Sequence, residues 1–237
     1  MAEEHGHSQR EIEERLSHRQ GRGYLRDVLY GGIDGSVTTF AIVAGVAGAG
    51  LDSFVIVALG FANVLADGFS MAAGNYSGTK AEADNARRLR RIEERHIAQE
   101  PEGERLELRE ILRRMGLEGR VLEEATEAIS KKRESWIDLM LEGEYGLSSV
   151  EPNPKRAALA TFLAFIAAGL VPLLPFVLGL PNAFALAAGM TLAVFFAIGA
   201  MKSIWSLSRW WRSGLETLAI GGAAAGIAYF VGTLFSH

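Results

Sequence analysis

Two aspartates, Asp34 and Asp67, lie in a stretch of the chain that is otherwise apolar and rich in small residues. Residues 27–79 contain no lysine or arginine that could neutralise them. A carboxylate in the core of a bilayer costs about 2.5–3.5 kcal/mol on insertion scales, so it is rarely retained without a function. Because the usual function is to bind or pass a cation, Asp34 favours transport. The alternative is a polar anchor that is hydrogen-bonded to a neighbouring hydroxyl, that of Ser36, Thr38 or Thr39.

Met71 is the second candidate ligand in this stretch. We expect Asp34 and Met71 on neighbouring antiparallel helices, at similar depth from the same end, so that they could face each other. Carboxylate oxygen suits hard divalent ions, and a thioether adds a preference for softer transition metals. Asp67 precedes Met71 by one helical turn and is a candidate second ligand, proton carrier or interhelical hydrogen-bond partner. The alternative for Met71 is ordinary packing against lipid or core.

A second candidate site lies in the polar middle of the chain. Its side chains occur three or four residues apart, the spacing that places ligands on one helix face in carboxylate metal sites of helical bundles. They are Glu93 with His96, Glu104 with Glu107, and Met140 with Glu144. The alternative is a set of solvated faces on which glutamates pair with nearby arginines. Cysteine is absent, which excludes disulfides, thiolate ligands and thiol redox chemistry.

The first site requires membrane helices to carry it. The chain is 49% hydrophobic, but residues 157–201 have no charged side chain and residues 213–237 have only Glu216. Because about 20 apolar residues cross a bilayer, we expect an all-α membrane protein with five transmembrane helices. Their expected spans are Val28–Gly50, Phe54–Ser77, Ala157–Leu178, Ala183–Ile204 and Gly214–Phe235.

The second site lies in a polar block, residues 79–156, which holds 16 of the 24 Lys and Arg and 18 of the 28 Asp and Glu. Its apolar residues recur at helical spacing. This predicts helices over Glu104–Met115, 118–130 and Glu134–Glu144, after a break at Pro101–Gly103. The expected organisation is a tail (1–23, with a short helix over Gln9–Gln20), two membrane helices (24–78), a helical metal-binding domain (79–156) and three membrane helices (157–237). The block is small for an independent core, so we expect it to pack against a second copy of the chain.

The lysines and arginines fall in three zones: five up to Arg26, 16 in the polar block and three between Lys202 and Arg212. The positive-inside rule places these zones in the cytosol, so we expect a cytosolic N-terminus and polar block. No phosphate loop, nucleotide fingerprint or catalytic triad is present, and an enzyme is therefore not expected. The basic segments are explained by anionic lipid, so no nucleic-acid partner is expected.

Several longer motifs resemble one known family. The strongest are YGGIDGSVTTFAIVAG in the first expected membrane helix and LADGFSMAAGNYSGTKAE through the second. Supporting motifs are IEERHIAQEPEGERLELREIL, SWIDLMLEGEYGL, NPKRAAL and GLETLAIGGAAAGIAY. Together they cover nearly the whole chain after residue 23, and the chain resembles the vacuolar iron transporter family.

The resemblance implies a homodimer with five membrane helices per chain and a cytosolic helical domain between the second and third. It implies export of Fe²⁺, and often Mn²⁺, from the cytosol in exchange for protons, with the metal as transported and bound ion and no prosthetic group. The residues that match the family's pathway are Asp34 and Met71. Those that match its cytosolic metal site are Glu93, Glu104, Glu107, Met140 and Glu144. His96 stands where a glutamate is expected and Leu141 where some members have methionine, which puts the affinity of this site in question.

Two other functions remain open from the sequence. One is a carrier mainly of Mn²⁺, although the long polar block favours the iron-type branch. The other is a membrane-anchored protein that binds or oxidises iron at a di-iron site. Such sites use a pair of Glu-x-x-His motifs, and the polar block supplies one, Glu93 with His96. The expected location is the cytoplasmic membrane in a prokaryote, or a vacuolar or other organellar membrane in a eukaryote.

Overall fold

The computed structural model describes residues 8–17, 23–147, 152–205 and 208–235, and all the regular structure in these ranges is helical. The chain divides into two compact units. The apolar unit comprises residues 24–78 and 154–237, and the polar unit comprises residues 1–23 and 79–153.

The apolar unit contains the helices that can span a membrane. Helix α1, Gln9–Ser17, precedes it and belongs to the polar unit. The described helices of the apolar unit are α2 (Leu25–Gly48), the first part of α3 (Ser53–Gln99), α7 (Pro154–Gly169), α8 (Leu174–Val177), α9 (Ala183–Lys202) and α10 (Trp210–Thr233). With Pro154–Val177 taken as one span, five are long and apolar enough to cross a bilayer. The prediction of five spans is confirmed.

The third span is not one regular helix. Helix α7 ends at Gly169, and a 3₁₀ turn at Val171–Leu173 leads into the single turn of α8. The interruption follows from Pro172 and Pro175, because proline has no N–H to donate and its ring clashes with the preceding turn. The expected third span, Ala157–Leu178, therefore matches the span Pro154–Val177, but it is built from several helical pieces.

The packing of α2 against α7 depends on glycine. A Cβ atom on Gly31 would lie 2.3 Å from the carbonyl oxygen of Thr161, and one on Gly35 would lie 2.4 Å from that of Phe165. Since real Cβ atoms do not approach this closely, only glycine lets the two backbones meet at these positions. The helix face next to Asp34 is thus closed by backbone contact.

The polar unit contains four further helical segments. They are the end of α3, which runs unbroken to Gln99, then α4 (Pro101–Arg114), α5 (Gly119–Ser130) and α6 (Arg133–Tyr145). The buried core of α4, α5 and α6 consists of Leu108, Leu112, Leu122, Trp136 and Met140, and Ile97 of α3 packs against it. The predicted break lies slightly earlier than Pro101–Gly103, at Glu100 between α3 and α4, and Pro101–Gly103 form the first turn of α4. Proline is tolerated there, since the first helical N–H needs no partner within the helix.

Candidate metal sites

Two glutamates of the polar unit are buried with unsatisfied oxygens. Glu93 on α3 is 1% exposed and Glu104 on α4 is 5% exposed. The hydroxyl of Tyr145 donates to Oε1 of Glu93 at 3.0 Å, and Nδ1 of His96 lies 3.3 Å from Oε1 of Glu104. Among the described residues, Oε2 of each glutamate has no hydrogen-bond partner. A buried carboxylate oxygen without a donor is costly, so this arrangement favours a bound proton or cation.

The raised pKa values of acids at this site also favour a bound proton or cation. Burial, together with the neighbouring charges of Glu107 and Glu93, raises the pKa of Glu104 to about 7, although His96 opposes the shift. Partial desolvation and the charges of Glu93 and Glu107 also raise the pKa of Glu144, although this residue is exposed overall. Glu104 and Glu144 therefore both lie within electrostatic range of Glu93, His96 and Glu107, and the neighbouring carboxylates disfavour ionisation of these two.

Arginines of the polar unit are paired with other acids. Arg113 and Arg114 both bond Glu110, at 2.8 and 3.1 Å, and Arg109 bonds Glu123 at 2.7 Å. None of the described arginines or lysines forms an ion pair with Glu93, Glu104 or Glu107. The alternative of an arginine-paired face thus describes Glu110 and does not describe its neighbours on α4.

The remaining predicted residues of this site have different surroundings. Met140 is fully buried among the apolar residues of the core, whereas Glu107 and Glu144 are exposed. Tyr145 was not predicted, and only its position beside Glu144 signals it. Within the described part of the chain, no three His, Asp or Glu side chains are arranged so as to hold a metal ion. The helices bring the acids near one another without closing them around one point.

Glycine also sets the distance between the helices that carry these acids. A Cβ atom on Gly143 of α6 would lie 2.6 Å from Cγ2 of Ile111 on α4. The missing side chain therefore allows the end of α6, with Glu144 and Tyr145, to approach α4.

In the apolar unit, the hydroxyls near Asp34 bond backbone groups. Ser36 donates to the carbonyl oxygen of Gly32 at 2.8 Å, and Thr38 donates to the carbonyl oxygen of Asp34 at 2.8 Å. The hydroxyl of Thr39 is buried and has no partner among the described residues. The Asp34 carboxylate is therefore not anchored by the three hydroxyls that the sequence offered as the alternative. It is half-buried and interacts electrostatically with Asp67 on α3.

Two hydrogen bonds determine the register of α2 against α3. Asn75 donates to Oδ1 of Asp27 at 2.8 Å, and Asn63 donates to the hydroxyl of Thr38 at 3.4 Å. In an antiparallel pair, residues that face each other have a constant sum of residue numbers. The two hydrogen bonds give sums of 102 and 101, so residue 68 or 67 of α3 lies opposite Asp34. Met71 lies about one turn further along α3, opposite residue 30 or 31. The carboxylate that shares the level of Asp34 is thus Asp67.

Met71 lines a cavity of about 430 Å³ in the apolar unit. The other walls include Arg26, Asp27, Tyr30, Asn75 and Thr161, and Asp34 is not among the lining residues. Asp27 and Asn75 were not predicted from the sequence as site residues. Two sequence signals could have identified them. Asp27 is the first acid of the stretch without lysine or arginine, and Asn75 follows Met71 by one helical turn.

Comparison with known proteins gives one consistent family. A family model described as the VIT family matches residues 25–233. Vacuolar iron transporter 1 of Arabidopsis thaliana is 34% identical over 219 residues, which cover 90% of this chain and 86% of the relative. Vacuolar iron transporter 1 of Oryza sativa subsp. japonica is 35% identical over 210 residues, covering 86% and 82%. The Vacuolar iron transporter of Toxoplasma gondii is 32% identical over 223 residues, covering 89% and 74%.

The matches extend across both units and include the segments that carry the candidate sites. They confirm the resemblance inferred from the motifs. With the five apolar helices, they identify a multi-pass membrane protein, and the chain belongs to the VIT family.

Proposed function

We propose that this protein transports divalent transition-metal ions, with Fe²⁺ as the main substrate and Mn²⁺ as the second, out of the cytosol in exchange for protons. The observation that carries the proposal is the pair Asp34 and Asp67. These are two interacting carboxylates on membrane-spanning helices, in a stretch without lysine or arginine. Such a pair is costly in a bilayer unless a cation or proton shares it. The relatives are named as iron transporters, which supports iron as the cargo.

The polar unit supplies metal to this pathway in the proposed mechanism. Glu93, His96, Glu104, Glu107 and Glu144 collect the ion, and Met140, which is buried in the core of the polar unit, is the candidate thioether. Because the pKa of Glu104 is raised to about 7, its carboxyl is half protonated near neutral pH. An arriving divalent ion displaces this proton, so that metal binding and proton release are coupled at the site.

The exposure of Asp67 supports a homodimer. Asp67 lies on the exposed side of α3, between the exposed apolar side chains of Leu65 and Phe69. A charged side chain on such a surface is unfavourable toward lipid and is tolerated against protein or a water-filled path. We therefore propose that this face of α3 meets a second copy of the chain. The ion path then runs past Asp34, Asp67 and Met71 near the dimer axis.

The direction of transport follows from the proposed orientation. The clusters of lysine and arginine support a cytosolic location for the N-terminus and the polar unit, by the positive-inside rule. The membrane is the cytoplasmic membrane of a prokaryote, or an organellar membrane if the source is eukaryotic. Antibody access to tags at the two termini in sealed vesicles measures this directly, and exposure of both tags on one side would contradict an odd number of spans.

Proteoliposomes that contain a metal-sensitive dye test the transport itself. We expect Fe²⁺ and Mn²⁺ to enter, faster when the pH gradient drives protons in the opposite direction, and each transported ion to move protons the other way. Metal uptake that is indifferent to a pH gradient would contradict proton exchange while leaving transport intact. Competition among Fe²⁺, Mn²⁺, Co²⁺ and Zn²⁺ distinguishes the iron carrier from a carrier mainly of Mn²⁺.

A further inference from the structure

Asp27, at the start of α2, is a buried carboxylate without a cationic partner. It is 5% exposed, and its Oδ1 accepts a hydrogen bond of 2.8 Å from the amide of Asn75. The same amide nitrogen lies 2.7 Å from the hydroxyl of Thr161, so Asn75 is held in place by α7 as well. None of the described lysine, arginine or histidine side chains forms an ion pair with Asp27. The negative charge therefore faces the cavity with one oxygen held by a neutral donor.

Met71 lies between this carboxylate and Asp34. The register of α2 against α3 places Asp27 at the level of Asn75 and Asp34 at the level of residue 67 or 68. Met71 is thus about 5–6 Å along the helix axis from each level, at 1.5 Å per residue. Its side chain lines the cavity that contains Asp27. The Met71 sulfur lies at a level between Asp27 and Asp34. It could bind a soft or borderline divalent ion as the ion passes from one carboxylate to the other.

We propose that Asp27 and Met71 form a second metal-binding station on the pathway, one step from Asp34 and Asp67. This inference rests on the proposed transport function. The second carboxylate oxygen of Asp27 and the sulfur of Met71 are the proposed protein ligands, and the cavity of about 430 Å³ has room for the ion's remaining water. Asn75 is a positioning residue, because it holds one oxygen of Asp27 and leaves the other for the ion.

Arg26 limits how tightly this station holds an ion. Its side chain lines the same cavity, so its charge repels a divalent cation that Asp27 attracts. Transport needs each binding site to be weak enough for the ion to leave, and several weak sites in series allow passage from one to the next. A buried carboxylate and a guanidinium that line the same cavity, with no ion pair between them, meet this requirement.

The test uses full-length protein in proteoliposomes, with Mn²⁺ and Cd²⁺ as probes. The variant Asp27→Asn keeps an oxygen that accepts the Asn75 hydrogen bond but removes the charge. We expect its kcat/KM to fall at least tenfold for both ions and Asp27→Glu to recover part of the loss. Met71→Leu should lower the ratio of Cd²⁺ to Mn²⁺ uptake at least threefold, because only the sulfur favours the softer ion. Glu216→Gln, which removes an exposed carboxylate elsewhere in the apolar unit, should leave both values unchanged.

The outcomes separate this station from the proposed function. Wild-type kcat/KM in Asp27→Asn, together with loss of transport in Asp34→Ala, would overturn the station and leave the transporter standing. No transport by the wild-type protein would overturn the function itself. If Asp27→Asn does not assemble, Arg26→Gln on the exposed side of the cavity decides instead. We expect it to lower KM at least threefold, and an unchanged or higher KM would contradict the station.

Discussion

Metal binding by the polar unit should depend on pH through Glu104. Burial and the charges of Glu107 and Glu93 raise the pKa of Glu104 to about 7, and a proton competes with the metal for the same oxygens. The ionised fraction of a carboxyl with this pKa is about 0.1 at pH 6 and about 0.9 at pH 8. Affinity that requires the ionised form therefore falls about tenfold, or about 1.4 kcal/mol, as the pH drops from 8 to 6.

The variant Glu104→Gln has nothing to ionise at this position. We expect it to bind metal more weakly than the wild type, and the difference should shrink about tenfold between pH 8 and pH 6. The measurement is isothermal titration with Co²⁺ of the full chain in detergent, in an Asp34→Ala background that removes the pathway ligand. Other titrating groups act on both proteins, so the difference isolates Glu104.

Glu110→Gln is the matched control on the same helix. Arg113 and Arg114 lower the pKa of Glu110 to about 2, so it stays ionised throughout this range and its neutralisation should not change the pH dependence. Parallel curves of affinity against pH for the wild type and Glu104→Gln would refute the reasoning, because the raised pKa would then play no part in binding.

Three further changes test the structure around the sites. Above pH 4.5 the raised pKa of Glu104 makes its ionisation unfavourable in the folded state. The metal-free protein should therefore lose about 3 kcal/mol as the pH rises to 8, and thermal melting should show a smaller loss in Glu104→Gln. Gly35→Ala places a Cβ 2.4 Å from a carbonyl oxygen of α7 and should lower the free energy of unfolding by about 1–3 kcal/mol, which is measured as a lower Tm. The control is Gly226→Ala, which should leave the Tm unchanged because no atom lies within 4 Å of the added Cβ. Arg90→Ala removes a side chain that bonds two acids on α6 and should lower the free energy of unfolding by about 1–2 kcal/mol. The exposed control Arg120→Ala should cost less than about 0.5 kcal/mol. Both are measured from the thermal melting of the polar unit.

The membrane helices are predictable because bilayer thickness imposes their length. Uncharged runs of about 20 residues identify the spans at Ala183–Lys202 and Trp210–Thr233 to within a few residues. The predicted end of a helix is wrong where no local sequence signal terminates the helix. Helix α3 continues from Ser53 to Gln99 because the polar residues after Ser77 are good helix formers and contain no proline before Pro101.

The acids of the candidate sites are found by spacing, but their environments are not. Equal spacing relates Glu104, Glu107 and Glu110, yet the first is buried, the second is exposed and the third is paired with two arginines. These differences depend on how α4 packs against its neighbours. Met140 likewise belongs to the core of the polar unit, because it lies in the same buried cluster as Leu108 and Trp136.

The register between helices is the part that the sequence could not supply. Counting residues from the membrane boundary suggested that Asp34 faces Met71. The hydrogen bonds of Asn75 and Asn63 instead place Asp67 opposite Asp34, with Met71 one turn away. An error of one turn in a helix boundary shifts the apparent partner by about 5 Å, which is larger than any ligand distance.

Transport by Asp34→Ala tests the central claim most directly. Purified wild-type and variant proteins are reconstituted in proteoliposomes at equal density, and Fe²⁺ and Mn²⁺ uptake is measured beside Co²⁺ binding in detergent. Because Asp34 is the carboxylate on α2 that shares its level with Asp67, we expect uptake to be abolished in the variant while the polar unit still binds metal. Uptake at the wild-type rate by Asp34→Ala would show that the ion does not pass this carboxylate and would contradict the account.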